Sequence, residues 1–111
     1  MKPIPKNLLI HSACAVELNE REGWNEPTEK KRTRLSKLRI EPSSTIRISK
    51  SNQQVQLAAV LFYDCRNSRP KDFDFSNIDK IEIDGQQHNI VSIQRHYDDK
   101  KLHHVEVELC L

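Results

Sequence analysis

The feature that most constrains the fold is a short turn, Asp84-Gly85, set between two alternating apolar stretches. Both residues tolerate the positive φ angles that a two-residue hairpin turn requires, so the chain is predicted to reverse direction here. Such a turn pairs Ile83 with Gln86, and Ile81 with His88. We therefore predict an antiparallel hairpin at the start of residues 78–111.

The strand that follows this turn changes face part-way along. Val91 and Ile93 have the opposite parity to Ile90, so a regular strand cannot bury all three. A bulge near residues 90–92 reconciles them, and such bends let a sheet curl into a barrel. Beyond a turn at residues 98–101, the last strand alternates cleanly, with Val105, Val107, Leu109 and Leu111 predicted on one face.

The rest of the chain also favours strands over helices. Alternation predicts a strand over residues 8–18, with the even positions from Leu8 to Leu18 on one face, and another over 35–41 that continues briefly at 46–48. The most apolar run, residues 55–63, suits a central strand. The connecting segments are an extended arm at 1–7 and two long loops at 19–33 and 64–76. The prediction is a single all-β domain over residues 1–111, a small antiparallel β-barrel or sandwich of about six strands.

Composition limits the functions that such a domain can have. The chain has 111 residues, 36% apolar and 31% charged, with a net charge of +2. That near-neutral balance lacks the basic excess usual in proteins that hold nucleic acid by its phosphates. No segment reaches the ~20 apolar residues that cross a bilayer, and the start carries no secretory signal, so we expect a soluble protein made in the cytoplasm.

The chemistry-bearing residues do not form a recognisable active site. The cysteines, Cys14, Cys65 and Cys110, are widely spaced and are predicted to be reduced. Neighbouring Arg66 could lower the pKa of Cys65, but no histidine lies near it in sequence. Adjacent His103 and His104 are expected to point to opposite faces of a strand. We predict no catalytic activity, no metal site and no cofactor.

Interaction features are clearer than catalytic ones. Trp24, the only tryptophan, lies in the first charged loop, where it either folds back over the core or forms an exposed anchor for a partner. Two basic stretches lie in the predicted loops. Three interpretations of them stay open: solvated surface, contacts to an acidic partner, or contacts to phosphate. The candidate contact residues are Trp24, Lys30, Lys31, Arg32, Arg66, Arg69 and Lys71.

With these residues in view, the sequence resembles the minor capsid protein family of tailed bacteriophages and prophages. The resemblance extends over nearly the whole chain and rests on several short segments together. They are residues 2–6 (KPIPK), 8–12 (LLIHS), 38–43 (LRIEPS), 61–65 (LFYDC) with 67–68, 79–85 (DKIEIDG) and 102–107 (LHHVEV). Asn25 and His88 depart from the family pattern, which has a glycine and an aromatic residue at these places.

The closing region is also similar to the small β-barrel head-closure proteins of the phage neck. The resemblance implies a virion protein that assembles in the host cytoplasm as a homo-oligomeric ring between the portal and the tail. There it would help to retain packaged DNA, which it could contact directly, and dock the tail. Two alternatives stay open at this stage: a small barrel that binds nucleic acid directly, and a tail-completion protein.

Overall fold

The computed structural model describes residues 4–20, 23–48 and 51–111, which form a closed antiparallel β-barrel and a separate hairpin. Around the barrel the strands run in the order β1-β2-β5-β8-β7-β6, and β6 pairs with β1 to close it. The strands are β1 (His11–Leu18), β2 (Glu29–Pro42), β3 (Ile46–Ile48), β4 (Gln54–Gln56), β5 (Ala59–Asp64), β6 (Lys80–Ile83), β7 (Gln86–Asp98) and β8 (Lys101–Cys110). The all-β prediction is confirmed.

The hairpin at Asp84-Gly85 forms as predicted. Both turn residues have positive φ angles, and the predicted pairs Ile83–Gln86 and Ile81–His88 are present. The ladder between β7 and β8 shifts register between Ile90 and Ser92, where the change of parity predicts a bulge. Bent strands of this kind allow β7, the second longest, to wrap around the barrel.

The barrel interior is filled mainly by large side chains from β2, β5, β6 and β8, facing small ones from β1. Ala13 and Ala15 of β1 point into the core, whereas Ile10 is exposed and Ser12 and Cys14 are only partly buried. The prediction that the even positions of this segment form its buried face was therefore wrong, although Val16 is buried. Small alanines fit here because bulky residues on the other strands occupy the interior: Leu35, Leu38, Leu61, Tyr63, Ile81, Val105, Val107 and Leu109.

Two strand boundaries differ from the predictions. Strand β2 begins at Glu29, so the first loop spans residues 19–28 instead of 19–33. Residues 21–22 of this loop and residues 1–3 of the predicted arm lie outside the described residues. The apolar run 55–63 is not one strand: β4 pairs with β3 in a separate hairpin, and β5 begins only at Ala59. The continuation predicted at 46–48 is β3, the other strand of that hairpin.

The second loop runs from residue 65 to residue 79 and is anchored in the core. Phe75 is 2% exposed and makes edge-to-face contacts with Tyr63 and Phe73. Asp79 donates its backbone N–H to Val16 O, and its side chain accepts the N–H of Leu18. This loop is therefore anchored to the barrel through Phe75 and Asp79. No helix long and apolar enough to cross a membrane occurs in the described residues.

Candidate interaction surfaces

The two long loops leave the same end of the barrel, which we call the loop end. Antiparallel pairing brings together the turn after β1, the end of β5, the start of β6 and the β7–β8 turn. The loop end thus carries the Trp24 loop (residues 19–28) and the Arg66 loop (residues 65–79). Trp24 is 96% exposed, so of the two interpretations the capping one is excluded.

The first basic stretch lies on strand β2 beside the loop end and not in a loop. Lys30 and Lys31 are exposed on the strand. Arg32 binds two carboxylates: its Nη2 is 2.7 Å from Glu82 on β6 and 2.8 Å from Glu29. These pairs raise the pKa of the Arg32 guanidinium. The Arg32 guanidinium is therefore paired within the barrel wall, whereas Lys30 and Lys31 are exposed to solvent.

The second basic stretch is positioned by a buried turn that begins at Asp64. The Asp64 carboxylate accepts the backbone N–H of Arg66 at 3.2 Å and the side-chain amide of Asn67 at 2.8 Å. Ser68, also fully buried, donates to Lys37 O at 2.6 Å and accepts the N–H of Asp64. Sequence reasoning missed both buried residues because their polar types are typical of exposed turns.

The three basic residues of the Arg66 loop have different environments. Arg69 pairs with Ser36 through two backbone hydrogen bonds, and its guanidinium donates to two carbonyls of its own loop. Arg66 and Lys71 are exposed and line an open cleft of about 870 Å³. Lys71 also lines a shallower depression with Lys31, so the structure brings one residue from each basic stretch together.

Cys65 lies in the wall of the same cleft but is not activated. Burial raises the pKa of its thiol, and the carboxylates of Asp64 and Asp72 add to the effect. The suggestion that Arg66 lowers this pKa was therefore wrong, because the thiol is partly desolvated. All three cysteines are free, as predicted.

The opposite end of the barrel, which we call the hairpin end, exposes several apolar side chains. It carries the β3–β4 hairpin, the Asp84-Gly85 turn and the end of β8. Its exposed large apolar side chains are Ile46, Ile48 and Leu111. The β3–β4 hairpin is held to the barrel by an ion pair of 3.0 Å between Arg47 Nε and the buried carboxylate of Glu108. Sequence reasoning missed this surface because alternating isoleucines were assigned to a strand that continues the sheet.

A cluster of histidines forms near the β7–β8 turn. The turn pairs Tyr97 with Leu102, and a regular ladder would pair His96 with His103 next. A one-residue register shift pairs His96 with His104 instead, so that two histidines of β8 oppose one of β7. The rings of His96 and His104 stack with centroids 4.5 Å apart, and Nδ1 of His103 lies 2.8 Å from Nδ1 of His104.

Glu106 completes this cluster on the outer face of β8. Its Oε2 contacts His96 Nε2 and lies 3.9 Å from His104 Nε2. Burial lowers the pKa of His104, and the neighbouring His96 adds to the effect. The prediction that His103 and His104 point apart was wrong, because it assumed a regular strand and their rings are in contact.

Comparison with known proteins places the whole barrel in one family. The model of the family described as minor capsid protein matches residues 5–109, which is nearly the whole chain. The chain belongs to the minor capsid protein family. It is therefore a phage structural protein, located in the virion with other capsid proteins. No curated protein and no solved structure matches it.

Membership of the minor capsid family agrees with a surface built for contacts. An exposed tryptophan and exposed apolar side chains are typical of interaction surfaces, and the protein has both, at Trp24 and at Ile46 and Ile48. The position of this minor capsid protein in the virion, its partners and its lack of catalytic activity remain predictions.

Proposed function

We propose that this minor capsid protein is a head–tail connector subunit, a head-completion or stopper protein that forms a ring on the portal side. There it helps to retain packaged DNA and to dock the tail. The observation that carries the proposal is the contrast between the two ends of the closed barrel. One end carries a hairpin arm with exposed isoleucines, and the other carries charged loops with an exposed tryptophan. Two chemically different ends suit a subunit that contacts different partners at once.

The hairpin end supplies the contact to a neighbouring subunit. A ring is built from a heterologous interface, in which one surface of a subunit meets a different surface of the next. Ile46 and Ile48 are 57% and 68% exposed on an arm that lies outside the barrel sheet. Two neighbouring exposed isoleucines offer apolar surface that a partner can bury, and the arm that carries them lies outside the barrel sheet, so this arm is well suited to reach a neighbouring subunit.

The loop end supplies the contact to the neck partners and to DNA. Trp24 is a fully exposed aromatic residue of the type enriched at binding hot spots. Arg66 and Lys71 are exposed cations on a loop that Phe75 holds in place. A fixed loop with basic residues can approach phosphates without a large entropic loss.

The aromatic residues of the strands and of the Arg66 loop argue against a module that binds nucleic acid directly. Such a module stacks bases on exposed aromatic side chains. Tyr63 and Phe75 are buried in the core, while Phe62 and Phe73 are partly buried. Tyr97 is exposed, but it lies on β7, on the opposite side of the barrel from the basic residues of β2. Two strands separate β7 from β2 in either direction around the barrel.

Reconstitution with purified neck components tests the proposal. We expect the protein to join a complex of portal and adaptor from the same phage, and electron microscopy to show an added ring on the portal side. An I46D/I48D variant should remain a folded monomer and fail to join. The proposal is wrong if no ring forms with portal or adaptor at any protein concentration. Binding to isolated tails instead would identify a tail-completion protein.

A further inference from the structure

We propose that His96, His104 and Glu106 form a binding site for a divalent transition-metal ion, with zinc as the best match. One potential ligand atom from each residue lies within 4.8 Å of the other two. Zinc in proteins takes imidazole nitrogen and carboxylate oxygen at about 2.0–2.2 Å in a tetrahedral arrangement. Donor atoms around such an ion lie about 3.3 Å apart, so side-chain shifts of roughly an ångström close the site.

The register shift in the β7–β8 ladder is what creates the donor set. It places His104 directly opposite His96, and Glu106 follows two residues later on the same face of β8. All three side chains are partly buried, so little ordering is required when an ion binds. A site that spans two paired strands is more rigid than one on a loop.

Within the described residues, the ring nitrogens of His96 and His104 that face Glu106 lack hydrogen-bond partners. His96 Nε2 is buried and touches Glu106 Oε2, yet the contact does not have the geometry of a hydrogen bond. His104 Nε2 also faces this oxygen, at 3.9 Å, which is too long for a hydrogen bond. A metal ion between the three atoms would satisfy all of them.

His103 fits the role of a positioning residue for this site. Its Nδ1 lies 2.8 Å from Nδ1 of His104. If His104 donates this proton, its Nε2 is left as a free lone pair that faces Glu106. Outer hydrogen bonds of this kind commonly set the tautomer and orientation of metal-binding histidines.

The donor chemistry selects the ion. Two imidazoles and one carboxylate suit zinc, copper, nickel or cobalt, whereas magnesium and calcium prefer oxygen ligands alone. Three protein ligands leave the fourth tetrahedral position open to water or to a donor group of a neighbouring virion protein. The His96 side chain is more than one-third exposed although its Nε2 atom is buried, so the cluster lies close to the protein surface. The site adjoins the β7–β8 turn, so a bound ion would cross-link β7 and β8 at the loop end.

Titration of the full chain with zinc chloride, after removal of metal by a chelator and with the thiols reduced, tests the site. We expect one zinc ion per chain by calorimetry and a higher melting temperature in its presence. H96Q and E106Q should each weaken binding about tenfold or more. H11Q, a matched change at a histidine on β1, should bind zinc as the wild type does. Saturable binding that H96Q and E106Q leave unchanged, or no binding below about 100 µM zinc, overturns the proposal.

Cobalt gives a second measurement that does not depend on stability. Cobalt bound in the site should show the intense visible absorption of a tetrahedral centre, which H96Q and E106Q abolish even where circular dichroism shows a folded chain. H103A keeps the three donors, so we expect the same band at higher cobalt concentrations. Loss of the band in H103A would make His103 a ligand and overturn the assignment of ligands.

Discussion

Arg47 on the β3–β4 hairpin binds Glu108 on β8, and their closest atoms, Nε and Oε2, are 3.0 Å apart. Glu108 is buried, and its other oxygen accepts a hydrogen bond of 2.7 Å from Ser92 on β7. A carboxylate removed from water in this way needs a charged partner. The ion pair therefore couples the position of the hairpin to the barrel wall.

Replacing Arg47 by methionine should lower the free energy of unfolding by about 1–3 kcal/mol, because Glu108 then stays buried without a cation. Chemical denaturation with urea measures the loss. The matched control is R39A, which breaks the more exposed pair between Arg39 and Glu41 at 3.5 Å and should change stability by less than about 0.5 kcal/mol. Equal effects of the two changes would contradict a structural role for the Arg47 pair.

The turn between β6 and β7 depends on the backbone freedom of Gly85. Its φ angle is +80°, and nothing lies within 4 Å of the place where a Cβ would stand. G85A should therefore cost about 1–2 kcal/mol through backbone strain alone, without a steric clash. D84N provides the control, since asparagine also tolerates the φ of +49° found there, and it should be nearly neutral. Urea denaturation compares the two variants.

The hydroxyl of Tyr63 ties the Arg66 loop to the core. It donates to Pro70 O and accepts the N–H of Phe73 at 3.2 Å. Y63F leaves both loop groups without this partner and should cost about 1–3 kcal/mol at neutral pH. Y97F, at the exposed tyrosine, should be close to neutral.

The contribution of Tyr63 should also depend on pH. Burial raises the pKa of its hydroxyl above the ordinary value near 10, so the folded state holds this proton more tightly than the unfolded state. The stabilisation is complete below pH 10 and is lost as the pH rises through the raised pKa. The stability gap between wild type and Y63F should therefore narrow above pH 10. A gap that stays constant to pH 11 would argue that the hydroxyl does not ionise from a buried site.

The closing hairpin was predicted correctly because its turn and its register are determined by residues close together in sequence. The Asp84-Gly85 turn sets the register of β6 and β7, and the change of parity after Ile90 can be satisfied only by a bulge. By contrast, the inward face of β1 depends on the space left by distant strands. Ala13 and Ala15 fit that space, although larger residues alternate beside them.

The candidate sites were harder to predict because they depend on tertiary register. Sequence identified Trp24 as a possible anchor, but its exposure is decided by whether the loop folds back. The histidine cluster depends on a one-residue shift that pairs His96 with His104. No local pattern marks that shift, since the preceding turn alone predicts pairing with His103.

The exposure of Trp24 allows a direct test of where partners bind. Since it is the only tryptophan and is 96% exposed, its fluorescence in the free protein should resemble that of tryptophan in water and change little on unfolding. W24A should alter stability by less than about 0.5 kcal/mol.

If the Trp24 loop contacts a neck partner, assembly should shift the tryptophan emission to shorter wavelength and protect it from acrylamide quenching. W24A should then weaken assembly at least tenfold, as expected for loss of a hot spot. Emission that stays fully quenchable in the assembled complex would exclude this loop from the interface and leave the hairpin end as the principal contact.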